Sequence, residues 1–119
     1  MRYVLAIVLA SLFAVPAGAE IIICEISEKH YCGLGKGCQT IAATVWSVID
    51  TTRKTYSRCD SAGCEEHDAR FSTPGAYVTI DLPGTGTIAK MSIVDGDFLE
   101  VATLTTTAYV SFGTCRVEE

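Results

Sequence analysis

Six cysteines set the terms for this chain. Cys24, Cys32, Cys38, Cys59, Cys64 and Cys115 all lie beyond its first 19 residues, in a sequence of only 119. A chain this short has room for one modest core, and an even number of cysteines then reads as a disulfide framework in an oxidising compartment. Six cysteines allow fifteen connectivities, and spacing alone does not choose among them. Two links are favoured. Cys59 and Cys64 flank Asp60-Ser61-Ala62-Gly63, a tight-turn sequence, and so make a local clasp. Cys115, near the far end, ties the last strand back to the N-terminal cysteine group. The longer link closes the larger loop and so contributes more stability, about 4 kcal/mol against about 2.

The first 19 residues place the chain in that compartment. Arg2 supplies a positive start, Tyr3 to Val15 is apolar apart from Ser11, Pro16 breaks the helix, and Ala17-Gly18-Ala19 has small-x-small form. This is the pattern of a cleavable export signal, and its 13-residue stretch is short for a membrane span. Ile21-Ile22-Ile23 before Cys24 is unlike the small residues that lipoprotein processing requires. The expectation is cleavage before Glu20, with 1–19 a signal peptide, 20–119 a single disulfide-tied domain, no membrane anchor after cleavage, and a periplasmic or secreted location.

After cleavage the chain carries 8 basic against 14 acidic residues, a net charge of −6. Nucleic-acid binding needs a basic stripe, so no nucleic-acid partner is expected. Apolar residues make up 49% and charged residues 19% of the sequence, which excludes compositional disorder. Asparagine is absent, so there is no N-glycosylation acceptor.

Strand signals recur along the rest of the chain. Ile21 to Ile26 is a short β-branched run. Lys29 to Gln39, with two cysteines and Gly33, Gly35 and Gly37, reads as a disulfide-pinned loop. Thr40 to Ile49 fits a helix face or a strand, and its β-branched residues and Trp46 tip it to strand. Strands follow over Lys54–Cys59, Glu65–Phe71, Ala76–Asp81, Thr87–Val94, Phe98–Leu104 and Thr107–Cys115. They are separated by Asp50–Arg53, Ser72–Gly75, Leu82–Gly86 and the hairpin dipeptide Asp95-Gly96. Short strands with turns every 8–12 residues predict an all-β fold, a small antiparallel meander closed as a barrel or folded as a sandwich and stabilised by disulfides.

Chemistry-bearing residues are few. His30 and His67 are the only histidines; His67, in Glu65-Glu66-His67-Asp68, supports one enzymatic alternative, a small hydrolase pairing it with a carboxylate. Asp50, Asp81, Asp95, Asp97 and Glu100 are the acids able to pair as acid and base, although Asp95-Gly96-Asp97 is explained by turn chemistry. There is no G-x-S-x-G elbow and no C-x-x-C pair. The spacings Cys59-x4-Cys64-x2-His67 and His30-x-Cys32-x5-Cys38 hold zinc-type donors but not zinc-type intervals, so no metal and no cofactor are expected. Trp46, Tyr56, Tyr77, Phe98, Tyr109 and Phe112 read mainly as core, with an aromatic patch at a barrel mouth as the binding alternative. Chain length argues against a roomy ligand cavity, which ranks protein binding above ligand carriage.

The residues Tyr56-Ser57-Arg58-Cys59-Asp60-x2-Gly63-Cys64, Ala89-Lys90 and Val110-Ser111-Phe112-Gly113-Thr114-Cys115 resemble small exported cysteine-rich bacterial proteins without an assigned function. Thr85-Gly86-Thr87-Ile88-Ala89-Lys90-Met91 is similar in order to a loop of the periplasmic c-type lysozyme inhibitors, though it lacks the leading serine and the final tyrosine. That resemblance implies a small disulfide-tied barrel in which Lys90 enters the acidic cleft of a lysozyme. The reading overall is a non-enzymatic binding or interaction module with an unknown protein partner. An inhibitor of a cell-wall hydrolase is the first alternative and the His67 hydrolase the second.

Overall fold

The structure, a computed structural model, describes residues 20–73 and 75–118. The expected signal segment lies outside the described residues. Ten strands follow one another with no helix among the described residues: β1 (Ile21–Gly33), β2 (Gly37–Ile41), β3 (Trp46–Asp50), β4 (Thr55–Asp60), β5 (Gly63–Asp68), β6 (Arg70–Ser72), β7 (Tyr77–Leu82), β8 (Thr87–Ser92), β9 (Asp97–Thr103) and β10 (Thr107–Glu118). All belong to one antiparallel sheet, in the order β5-β4-β3-β1-β10-β9-β8-β7-β6, with β2 added to β1.

The sheet curls into a nearly closed barrel, and the chain itself shows why. The strands at its two ends, β5 and β6, are consecutive, separated only by the buried Ala69. That residue's amide donates to the carbonyl of Lys54 at 3.0 Å. A side-chain bond gives independent evidence. Arg58 of β4 reaches Glu100 of β9 at 2.9 Å although β3, β1 and β10 lie between them in the sheet. Such a contact is possible only across an interior.

Alternation decides what fills that interior. Directly paired residues share a face, so Ile22 stands beside Ile49 and Cys24 beside Ser47. Ile80 pairs with Ala89, and Met91 with Phe98. These residues, with Ile26, Tyr56 and Leu82, are buried and form the core. β8 shows the rule plainly: Thr87, Ala89 and Met91 are buried while Ile88 and Lys90 are exposed. Burying each large apolar side chain contributes about 1.5–3 kcal/mol.

β1 and β10 form the spine. They pair from Ile21↔Glu118 to Gly33↔Thr107, with a bulge between Ile26 and Glu28. The bulge brings β1 so close to β10 that a Cβ on Gly113 would overlap the Glu25 carbonyl, so only glycine fits there. On its other edge β1 pairs first with β3 and beyond the bulge with β2.

Three disulfides span directly paired residues: Cys24–Cys115 on β1/β10, Cys32–Cys38 on β1/β2 and Cys59–Cys64 on β4/β5. The Cys59 clasp and the return of Cys115 to the N-terminal group are the two links read from spacing.

Several element boundaries differ from the sequence reading. The disulfide-pinned loop over Lys29–Gln39 is mostly a hairpin: β1 runs on to Gly33, and β2 starts at Gly37. Its alternate glycines, Gly33, Gly35 and Gly37, sit before, within and after a three-residue turn rather than in an irregular loop. Thr40–Ile49 is not one strand, since residues 42–45 separate β2 from β3. Glu65–Phe71 is divided at Ala69 because its two halves belong to opposite edges of the sheet.

Candidate functional site: an apolar mouth on the barrel

The two ends of the barrel differ in chemistry. Towards the β4–β5 turn, polar groups occupy the interior. Glu100 is buried and accepts hydrogen bonds from the Tyr56 hydroxyl and, at 2.9 Å, from Arg58 Nη2. Ser47 donates to the Tyr56 hydroxyl oxygen at 2.9 Å. Burial, reinforced by the Glu100 carboxylate, pushes the Tyr56 phenol far above its ordinary value, so it stays protonated as a donor. Among the described residues no buried side-chain polar atom lacks a partner. The network is satisfied within the molecule and therefore acts as a plug.

His67 sits beside that plug. It is half-buried, its Nε2 lies 3.5 Å from Glu65, and it lines a hollow of about 210 Å³ with Arg58, Glu65, Leu82 and Tyr109. His30 lies elsewhere, on the β1–β2 arm, with Nε2 3.4 Å from Glu28 and Nδ1 3.3 Å from Thr40 Oγ1. The two histidines are thus not brought together. Among the described residues no group of three or more His, Cys, Asp or Glu side chains is arranged to hold a metal ion.

The opposite end is open and apolar. Strands β1 and β7 begin there, β8 and β10 end there, and the β3–β4 and β8–β9 turns form its rim. Ile22, Ile49, Phe71, Val78, Ile80 and Met91 wall a cleft of about 640 Å³. The Cys24–Cys115 disulfide adjoins it through Cys115. Cavities of about 300–1,000 Å³ with apolar walls and few polar groups are the usual form of a ligand site. The length argument against a roomy cavity misjudged this end, because the cleft lies at the mouth and needs no enlarged interior.

Sequence chemistry builds the rim. Asp95-Gly96 turns β8 into β9, and Gly96 adopts φ 77°. A Cβ there would stand 2.6 Å from the Cys115 carbonyl, which itself lies over the turn and is fixed by the amide of Cys115 donating to Gly96 O at 2.7 Å. The amide of Asp97 donates to the Asp95 carboxylate at 3.1 Å. That bond, helped by Ser92, holds the Asp95 carboxyl below its ordinary value. Asp95 is therefore occupied by its own turn.

Lys90 lies in the middle of β8 as an exposed, outward residue rather than on a protruding loop. It lines an outer groove with Tyr77, Leu99 and Phe112. Of the aromatics, Tyr56 and Phe98 are core, whereas Tyr77 and Phe112 are exposed. Asp50 accepts from the amides of Thr52 and Arg53, a turn role like that of Asp95. The sulfurs of the zinc alternative, Cys32, Cys38, Cys59 and Cys64, are bonded in pairs.

Sequence reasoning missed the mouth and the plug. The signal for the plug was present: Tyr56 and Arg58 are two residues apart and share a face, and Glu100 shares one with Phe98 and Ala102. The mouth gave no local signal, since its walls come from separate strands. Among the described residues no helix is long and apolar enough to cross a membrane. No protein-family model, no curated protein and no solved structure matches the chain.

Proposed function

We propose that this chain is an exported binding module and that the apolar mouth is its binding surface. The observation that carries the reading is the asymmetry of the barrel: one end is filled by a self-satisfied polar network, the other is left as an apolar cleft of about 640 Å³. The apolar side chains of Ile93, Val94 and Val117 stand exposed around that end, which stability alone does not require. The three disulfides are compatible with an oxidising compartment outside the cytoplasm. The periplasm, reached after cleavage before Glu20, is the location this reading adopts. The aliphatic character of the walls supports binding as the reading.

The test is an equilibrium titration of the mature protein with a neutral, environment-sensitive apolar dye. One dye is expected per chain. Ile93→Asp with Val94→Asp, two exposed rim changes, should abolish its binding, while Tyr77→Ser in the outer groove should leave it intact. Failure of the dye to saturate, or its indifference to the two aspartates, removes the mouth as the binding surface.

A further inference from the structure

The rim of the mouth is not uniformly apolar, and its charges are arranged unequally. Four charged residues line it: Glu20, Lys54, Asp95 and Arg116. Arg116 is paired with Glu25 at 3.0 Å, and Asp95 is held in its turn by Asp97. Glu20 is pinned through its carbonyl, which accepts from the amide and hydroxyl of Thr51, each at 3.1 Å. Cleavage before Glu20 would put an α-ammonium on that same rim residue. Lys54 is an exposed cation, and the ion pairs among the described residues do not use it.

Lys54 also stands in an unusual backbone state. Its φ is 56°, the one non-glycine residue with positive φ among those described. Glycine or asparagine is the ordinary occupant of such a turn position. A lysine there carries a conformational cost, and the residue lines the apolar cleft. Ile93 and Val94, in the turn at the same rim, are 58% and 84% exposed, and Val117 is 53% exposed. Three apolar side chains therefore lean out of the cleft where water would otherwise favour polar ones. An apolar wall, an apolar lip and a rim lysine outside the ion pairs match a molecule with a long apolar tail and a single negative head.

We infer that the mouth takes a single-chain fatty carboxylate, its alkyl chain against Ile22, Ile49, Val78, Ile80 and Met91 and its carboxylate at Lys54. The inference rests on the mouth being the binding surface. Chain burial supplies the affinity, and the exposed ion pair supplies the preference for an anionic head.

The experiment uses delipidated mature protein at low salt, with the neutral dye displaced by octanoate, dodecanoate or dodecanol. Dodecanoate is expected to bind more tightly than octanoate by roughly threefold or more per added methylene. It should exceed dodecanol by about fivefold, an advantage that fades with added salt. Lys54→Gln should cut the preference for dodecanoate over dodecanol at least twofold and leave dodecanol itself unchanged. Lys54→Gly should do the same while raising Tm, which separates a loss of recognition from a loss of fold. Equal affinity for dodecanoate and dodecanol in the parent protein overturns the carboxylate at Lys54 but leaves the mouth standing. Dye binding that no alkyl chain displaces overturns the amphiphile and assigns the mouth to side chains of a protein partner. Absence of dye binding overturns both readings.

Discussion

Arg58 and Glu100 meet at 2.9 Å across the inside of the barrel, from strands that are not neighbours in the sheet. Glu100 is almost fully buried and Arg58 only partly so, its side chain keeping 33% of its exposure. The pair therefore joins opposite walls while leaving the cation a route to water. With Tyr56 and Ser47 it makes this end of the interior polar, which is costly unless every member keeps its partners.

Replacing the acid tests that dependence. Glu100→Gln leaves either the Tyr56 hydroxyl or Arg58 without an ideal acceptor and is expected to cost about 2 kcal/mol. The loss is smaller than the ~3–5 kcal/mol of a fully buried pair because Arg58 can turn outwards. Urea unfolding of the two proteins measures the difference, and an unchanged midpoint would show that the network contributes nothing to stability.

Alkaline pH probes the same site through the phenol. An unfolded tyrosine ionises near pH 10, whereas the folded value of Tyr56 is raised by burial and by Glu100. Its contribution is fully present below about pH 10 and declines as the pH climbs above that, by up to about 1.4 kcal/mol per unit. Tyr56→Phe is less stable at neutral pH but should show a shallower alkaline decline. Parallel stability–pH curves for the two proteins would refute this.

The disulfides should contribute unequally. Cys24–Cys115 spans a separation of 91 residues and Cys59–Cys64 a separation of 5. Loop-closure arithmetic gives about 4–5 kcal/mol for the first and about 2 for the second. Cys24→Ala with Cys115→Ala should thus lower the unfolding midpoint at least twice as far as Cys59→Ala with Cys64→Ala. Denaturant titration of the two double variants gives the ratio directly.

Lys54→Gly is expected to stabilise the fold by about 1 kcal/mol, because glycine accepts φ 56° without the steric cost borne by lysine. Thermal unfolding should record a higher Tm. A lower one would mean that Lys54 makes a structural contact outweighing its backbone strain.

Gly113→Ala should do the opposite. A methyl group there meets the Glu25 carbonyl at the β1 bulge, so the two long strands must separate locally, at a cost of about 2–4 kcal/mol. Amide exchange over β1 and β10 would show the loss of protection.

Period-two patterning makes most of the strands readable from the residues alone. Ile80 and Leu82 in β7, and Thr87, Ala89 and Met91 in β8, are buried at alternate positions because one face of each strand meets the core. The pattern is weakest where exposure does not alternate: β2 is exposed at four consecutive positions, so nothing in its residues announces a strand. Cys32 and Cys38 are legible as a constraint, but not as the rungs of a hairpin. The cleft is not legible for a different reason. Ile22, Phe71, Val78 and Met91 each read as ordinary inward residues, and only the curl of the sheet brings them to one opening.

The bond between Cys24 and Cys115 makes the intervening chain a covalent ring. Every hairpin turn exposed to a protease lies on that ring. One cut, wherever it falls between these two sulfurs, opens the circle but releases no fragment. A nicked molecule keeps its pieces at hand to re-pair, and only a second cleavage or a reductant lets it come apart.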